Sequence, residues 1–262
     1  MNTDKQTHTA SMNAPGVERI RHELRRRNLT VMEHSYVTPH MIRITLAGDE
    51  LEGFTSLSPD DHVKIFVPGS EAEEMQKRDF TPRHYDPRCQ TLTLDFVAHD
   101  GGPATQWAQR AKVGDQLELG GPRGSQVITG EIRQWLLIGD ETALPAIGRR
   151  IEELPASVNV TSLVAVPGRE DEQAFETQAS LSAHWLHRDL HDAADPAPYL
   201  AQLAELELNP DTFIWIAGEA TVVKALRRYL LDERGHSKDW MKAAGYCKQG
   251  AADSAEKSIG DD

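Results

Sequence analysis

The chain has 262 residues, 39% of them hydrophobic and 26% charged, with Lys+Arg 28 against Asp+Glu 41 and a formal net charge of −13 at pH 7. That length suffices for two modest domains, or for one large one with a sizeable core. No apolar run reaches bilayer-spanning length, the start lacks a secretion-type apolar core, and a charge this negative excludes general nucleic-acid binding, which needs a basic face.

Residues 1–16 are small, polar and aperiodic and read as a disordered N-terminus. Residues 18–27 place five arginines beside two glutamates, the pattern of a solvated helix face. Two strand-like runs follow at 29–37 and 41–46 about Thr38-Pro39, with Ile42, Ile44 and Leu46 alternating. Residues 48–61, with three aspartates, read as a loop. Val63, Ile65 and Val67 then alternate toward a core, which turns Lys64 to the opposite face. After a charged excursion at 71–77, a strand is expected through 78–83 and another at 91–98, beyond an Asp86-Pro87 turn. Short strands with closely spaced turn signals predict a small antiparallel barrel.

The stretch 94–125 reads as strand, turn, helix and strand. The turn runs through Asp100, Gly101 and Gly102, and Pro103 opens an amphipathic segment as a good first helical residue. The free N–H groups at such a helix start suit an anion, most usefully the pyrophosphate of a dinucleotide. Leu117 and Leu119 return as a strand ending in the Gly-Pro-Arg-Gly run at 121–124.

Beyond 125 the period changes. Apolar strands at 135–139, 158–166 and 212–217, with a short run at 183–188, alternate with helices at 142–154, near 198–206 and at 220–234. This predicts a parallel sheet covered on both faces, with the boundary between the halves near 126–133. Residues 250–262 read as a disordered tail. Cys89 and Cys247 form no Cys-x-x-Cys pair or disulfide framework, which suits a reducing cytoplasm.

Glycines close two strand ends in the second half, in Gly139-Asp140-Glu141-Thr142 and in Gly218-Glu219-Ala220. In an open parallel sheet the ligand crevice lies off those ends, where a nicotinamide cofactor would sit. Asp140 and Thr142 read equally as helix caps. In the first half, Arg78-Asp79-Phe80-Thr81-Pro82-Arg83 sets two arginines, an aromatic and a hydroxyl on one strand, with Arg78 and Phe80 sharing a face unless Pro82 bends the run.

That strand, followed in order by HDGGPATQWA at 99–108, GPRGS at 121–125, GDETALPA at 139–146 and AGEA with VKALRRYL at 217–230, resembles the siderophore-interacting proteins. These are cytoplasmic FAD-containing ferric-siderophore reductases, distantly related to the ferredoxin–NADP reductases. The resemblance covers roughly residues 17–248 and implies an α+β two-domain protein. An antiparallel β-barrel FAD domain at 17–128 would precede an α/β parallel-sheet NAD(P)H domain at 133–246. Phe80 would lie against the isoalloxazine with Thr81 near N5, and Arg78 and Arg83 would meet the FAD phosphates or rings. His99, Gly101, Gly102, Ala104 and Thr105 would hold the pyrophosphate and ribityl region. Asp140, Thr142, Gly218 and Glu219 would border the nicotinamide.

Lys64, Arg123 and Lys248 occupy positions the family uses to dock an anionic ferric chelate, a necessity on a chain of −13. Where family members commonly end Gly-Tyr-Trp, this chain has Gly245-Tyr246-Cys247, so Tyr246 is the aromatic left to cover the flavin. Arg169, after the strand ending at Val166, favours NADPH over NADH. His184, His187 and His191, with Asp189 and Asp192, are read without a metal. The expected protein is a cytoplasmic monomer that passes electrons from NAD(P)H through FAD to Fe(III). Its rivals are a flavin reductase with another acceptor or with ferredoxin as donor, and a non-catalytic siderophore- or flavin-binding protein.

Overall fold

The computed structural model describes residues 14–69, 75–99 and 101–248. Most of the two terminal segments, residues 71–74 of the charged excursion and Asp100 of the glycine turn lie outside the described residues.

Period-2 alternation builds the first half. β1 (Gly16–Arg21), β2 (Arg26–Thr38), β3 (Met41–Ala47), β4 (Val63–Pro68), β5 (Met75–Phe80), β6 (His84–Asp86) and β7 (Thr91–Val97) precede α1 (Pro103–Arg110), β8 (Gln116–Gly120) and β9 (Gly124–Thr129). Seven of these strands form one antiparallel sheet in the order β5-β4-β8-β2-β3-β7-β6. The sheet curls on itself, since Val63, Ile65 and Val67 of β4 share a core with Leu92 and Leu94 of β7 and with Ala104 and Ala108 of α1.

The arginine-rich segment 18–27 is a correction to the sequence reading. Instead of a helix, residues 16–21 form a strand that pairs antiparallel with β9, from Gly16 opposite Thr129 to Arg21 opposite Gly124. Backbone hydrogen bonds to a strand about a hundred residues away outweigh a helix propensity worth only tenths of a kcal/mol per residue. The run at 78–83 also ends early: pairing stops at Phe80, and Thr81-Pro82-Arg83 leaves the ladder, as a proline without an N–H favours.

The second half contains β10 (Gln134–Asp140), α2 (Leu144–Glu153), β11 (Asn159–Val166), β12 (Ser180–His187), α3 (Ala197–Glu205), β13 (Thr212–Glu219), α4 (Ala220–Arg228) and β14 (Met241–Cys247). Its sheet is wholly parallel in the order β12-β11-β10-β13-β14. Alternate residues of each buried strand face opposite layers. Trp135, Leu137, Val164 and Phe213 pack with Ile147 and Ile151 of α2, while Leu136, Ile138, Leu163 and Ile214 pack with Leu203 of α3 and Val223 and Leu226 of α4. β14 had no expectation attached to it, and it is the strand that carries Tyr246.

The halves meet through the α2 layer, which takes in Met41, Val97 and Ile128 from the first half. Polar contacts surround this apolar joint. Arg83 donates to both carboxylate oxygens of Glu152 at 2.7 and 2.6 Å. Arg149 donates to the Ser56 hydroxyl, the Ser56 carbonyl and the Pro82 carbonyl at 2.8–3.0 Å. The Asp171 carboxylate accepts from the His40 backbone N–H at 3.0 Å and lies 2.8 Å from His40 Nδ1.

Candidate functional site

The joint leaves a cavity of about 980 Å³ between the curled sheet and the carboxyl ends of the parallel strands. This is the upper end of the usual ligand-pocket range of about 300–1,000 Å³. Arg78, Phe80 and Thr81 line one wall, and Thr142, Glu219 and Tyr246 line the facing one. Phe80 is anchored from behind, its ring centroid 4.3 Å from that of Phe96. Arg78 donates to the Lys77 carbonyl at 2.7 Å and to Gln76 at 3.2 Å.

The glycine turn delivers the start of α1 to this cavity, with Gly102, Pro103, Ala104 and Thr105 on the lining. Gly101 and Gly102 have φ of 114° and 91°, a left-handed region where a side chain costs about 1–2 kcal/mol. Among the described residues no side chain caps the helix, and its first turn holds no acid. Its N–H groups and positive dipole end therefore remain available to an anion from the cavity. The Thr105 hydroxyl is already engaged: it donates to the Val97 carbonyl at 3.1 Å, tying helix to strand, with His99 Nε2 3.3 Å away.

On the facing wall, Glu219 is 2% exposed and caps α4 by accepting from the N–H groups of Thr221 and Val222. Asp140 stands just behind the lining. Its carboxylate accepts from the Thr142 N–H and hydroxyl at 2.9 and 2.5 Å and from the Glu219 N–H at 2.8 Å. Asp140 thus ties the ends of β10 and β13 together rather than capping α2, whose N-cap is Ala143. Gly218 allows the close approach, because a Cβ there would sit 2.5 Å from Asp140 Oδ2.

Tyr246 is half-buried, edge-on to Trp215 at 6.2 Å, and its hydroxyl is buried with no hydrogen-bond partner among the described residues. Burial first, then Asp60 and Asp61, raise its pKa well above the ordinary phenol value, so the hydroxyl stays neutral while the residue borders the cavity. Aromatic residues Phe80 and Tyr246 and an open helix end around one large cavity fit a ligand with a planar ring system and a pyrophosphate. FAD has both.

Three groups were missed by sequence reasoning. Asp60, read only as loop, pairs with Lys242 at 2.5 Å and accepts from Trp215 Nε1 at 3.3 Å on the cavity wall. Burial raises the Asp60 pKa, but Lys242, Ser58 and Arg150 together outweigh it and the net shift is downward. Asp61, also on the wall, accepts from the Ser125 hydroxyl at 2.6 Å. Glu141, 6% exposed and on the wall, pairs with Arg188 at 2.9 and 3.2 Å. Burial and then Asp140 raise its pKa to about 7 despite that arginine. Glu141 lies inside the GDET motif, so that motif was the signal available for it.

Several expected residues lie off the lining. Arg83 is 7% exposed and its fork is taken by Glu152, so it latches the two halves. Lys64 is paired at 2.8 Å with Asp79, which does line the cavity. Arg123 is exposed beside the 121–124 turn, and Arg169 is exposed at the end of β11. Lys248 and Cys247 are on the wall, the thiol 3.9 Å from the Thr142 hydroxyl and raised in pKa by burial. His184 and His187 neighbour Ser182 and Glu172 respectively, while Asp189, His191 and Asp192 form an exposed cluster at the cavity's edge.

Both halves match known sequences. The siderophore-interacting protein family matches residues 132–250, and the siderophore-interacting FAD-binding domain matches residues 30–76 and 70–126. The chain is 35% identical over 250 residues to the NADPH-dependent ferric-chelate reductase of Escherichia coli, spanning 87% of this chain and 95% of that one. It is 29% identical over 251 residues to the ferric vibriobactin reductase ViuB of Vibrio cholerae, spanning 87% and 92%. The solved structure of a siderophore utilization protein from T. fusca aligns with a TM-score of 0.83 at 34% identity, covering 91% of this chain and 97% of that one. Sequence, fold and the architecture of the cavity therefore agree that the chain belongs to the siderophore-interacting protein family.

Proposed function

We propose that this protein is an NAD(P)H-dependent ferric-chelate reductase that uses FAD, with an FAD domain over residues 17–128 and a nicotinamide domain over 133–246. The observation that carries this reading is the single cavity shared by the Arg78–Thr81 wall, the uncapped start of α1 and the strand ends at Thr142, Glu219 and Tyr246. FAD, when bound, supplies the conversion between the electron pair of a nicotinamide and the single electrons that ferric iron accepts.

The protein's own groups bind, orient and exclude water. The first turn of α1 receives the pyrophosphate, Arg78 adds a permanent charge beside it, and Phe80 offers a ring face backed by Phe96. Tyr246 borders the opposite side. Thr142 and Glu219, held by Asp140, border the nicotinamide, and Arg169 stands where a 2′-phosphate would approach. Lys248 on the wall and Lys64 beside Asp79 draw an anionic iron complex against the overall charge. Hard oxygen ligands hold Fe(II) more weakly than Fe(III), so reduction releases the metal.

We assign the reaction to the cytoplasm, where NAD(P)H is supplied; among the described residues no helix is long and apolar enough to cross a membrane. The test is the visible spectrum of the purified protein. A yellow chromophore should bleach with anaerobic NADPH and return when a ferric chelate is added. Colourless protein in excess FAD, or colour that NADPH leaves untouched, removes the proposal.

A further inference from the structure

Several arginines of this acidic protein sit on carboxylates: Arg26 on Glu118, Arg43 on Asp95, Arg83 on Glu152 and Arg188 on Glu141. The link between β1 and β2 departs from that pattern. Arg21, Arg25 and Arg27, with His22 and Glu23, line a second cavity of about 280 Å³, bounded by Gly53, Thr55 and the Gly121–Pro122 turn. Among the described residues none of these three arginines has an ion-pair partner. Three positive charges thus face one glutamate.

Arg27 is the informative member, because it is 3% exposed. Its Nε donates to the Glu50 carbonyl at 2.8 Å, and its Nη1 to the carbonyls of Gly121 at 3.1 Å and Arg25 at 3.4 Å. Its Cζ lies 5.3 Å from the Phe54 ring centroid. Every one of these partners is neutral. The Glu50 carboxylate is engaged elsewhere, accepting from the Asn28 N–H at 2.8 Å. Burial first, and then the like charge of Arg25, lower the Arg27 pKa, with Tyr85, Glu23 and Glu50 offsetting only part of it. A buried charge with no ion-pair partner among the described residues is costly, and an anion in the adjoining cavity supplies one.

The other walls are held in place. Arg25 donates to the Glu52 carbonyl at 3.3 Å. His22 Nε2 lies 2.7 Å from the Ser125 hydroxyl, whose own proton goes to Asp61. We infer that this second cavity binds a small oxyanion of charge near −2, phosphate or the carboxylates of a small chelator, gripped by guanidinium forks. It is distinct from the large cavity, from which the 121–124 turn separates it, and its volume is too small for a dinucleotide.

The test is thermal unfolding of the full-length flavoprotein in sodium phosphate up to about 50 mM, with ionic strength held constant by NaCl so that only specific binding saturates. The melting temperature should rise along a saturating curve. In R21Q/R25Q the saturating part should vanish, leaving only the shallow linear rise that phosphate gives any protein, while the visible spectrum stays the same. R25Q alone should weaken the apparent affinity, and phosphorus-31 line broadening at low temperature reads occupancy even if a variant melts early. A second arm replaces phosphate with citrate. A response to phosphate alone supports a tetrahedral anion, and a response to both supports carboxylate recognition as well. Equal curves for the parent and R21Q/R25Q, or no saturating component with either anion, overturn the inference.

Discussion

Replacing Gly218 with Ala tests the hinge of the nicotinamide side. The residue has φ 146°, which an alanine adopts at a cost of about 1–3 kcal/mol. Its Cβ would stand 2.5 Å from Asp140 Oδ2, the oxygen that accepts from the Glu219 N–H. Asp140 is 3% exposed and its other oxygen is held by Thr142, so the carboxylate can yield only by giving up a hydrogen bond. Losing a charged, buried hydrogen bond costs about 1.5–3 kcal/mol. The total is about 2.5–6 kcal/mol, or a melting temperature lower by on the order of 10 °C. Urea unfolding followed by tryptophan fluorescence reads it, since Trp135 and Trp215 sit in the same sheet. A double-mutant cycle with D140A isolates the clash: in that background G218A should cost only the backbone part, leaving a coupling of about 1.5–3 kcal/mol. Equal costs in both backgrounds would refute the steric argument.

Three further outcomes are expected. K248E should raise KM for an anionic ferric chelate about tenfold, equivalent to about 1.4 kcal/mol, with the flavin spectrum unchanged; an unaltered KM removes the docking role. R149A deletes three hydrogen bonds between the halves and should lower stability by about 2–4 kcal/mol, read by thermal unfolding and by faster proteolysis near residues 126–133. Because the Glu141 pKa is raised from 4.5 to about 7, the folded state holds its proton more tightly, and stability relative to E141Q should fall as pH rises from 4.5 to 7, by at most about 3 kcal/mol. A pH-independent difference between the two proteins contradicts that assignment.

Legibility followed the range of the interactions. Ile42, Ile44 and Leu46, or Val63, Ile65 and Val67, declare their buried face by alternation, and all six are fully buried. The glycine turn before Pro103 is a local signal, and the helix begins at that residue. The segment 18–27 misled because its composition suits a helix, while its actual partners, β9 for residues 18–21 and β8 for residues 26–27, lie elsewhere in the chain. Arg83 looked like a cofactor ligand because the motif around it is local, but Glu152 reaches it only after the halves pack. Asp60 in a loop and Lys242 in an unpredicted strand carried no mark of their meeting.

By itself, the order of residues determined the period-2 half, the switch to buried parallel strands, the glycine turn at a helix start and the collinear motifs, since each depends on neighbours a few positions apart. Only the tertiary structure decided which arginines are spent on carboxylates, that Tyr246 stands on the wall of the large cavity, and that Arg27 is buried among neutral carbonyls. The physical reason is that charge pairing and desolvation are set by distances through space, and those come into being only when strands remote in sequence are laid side by side.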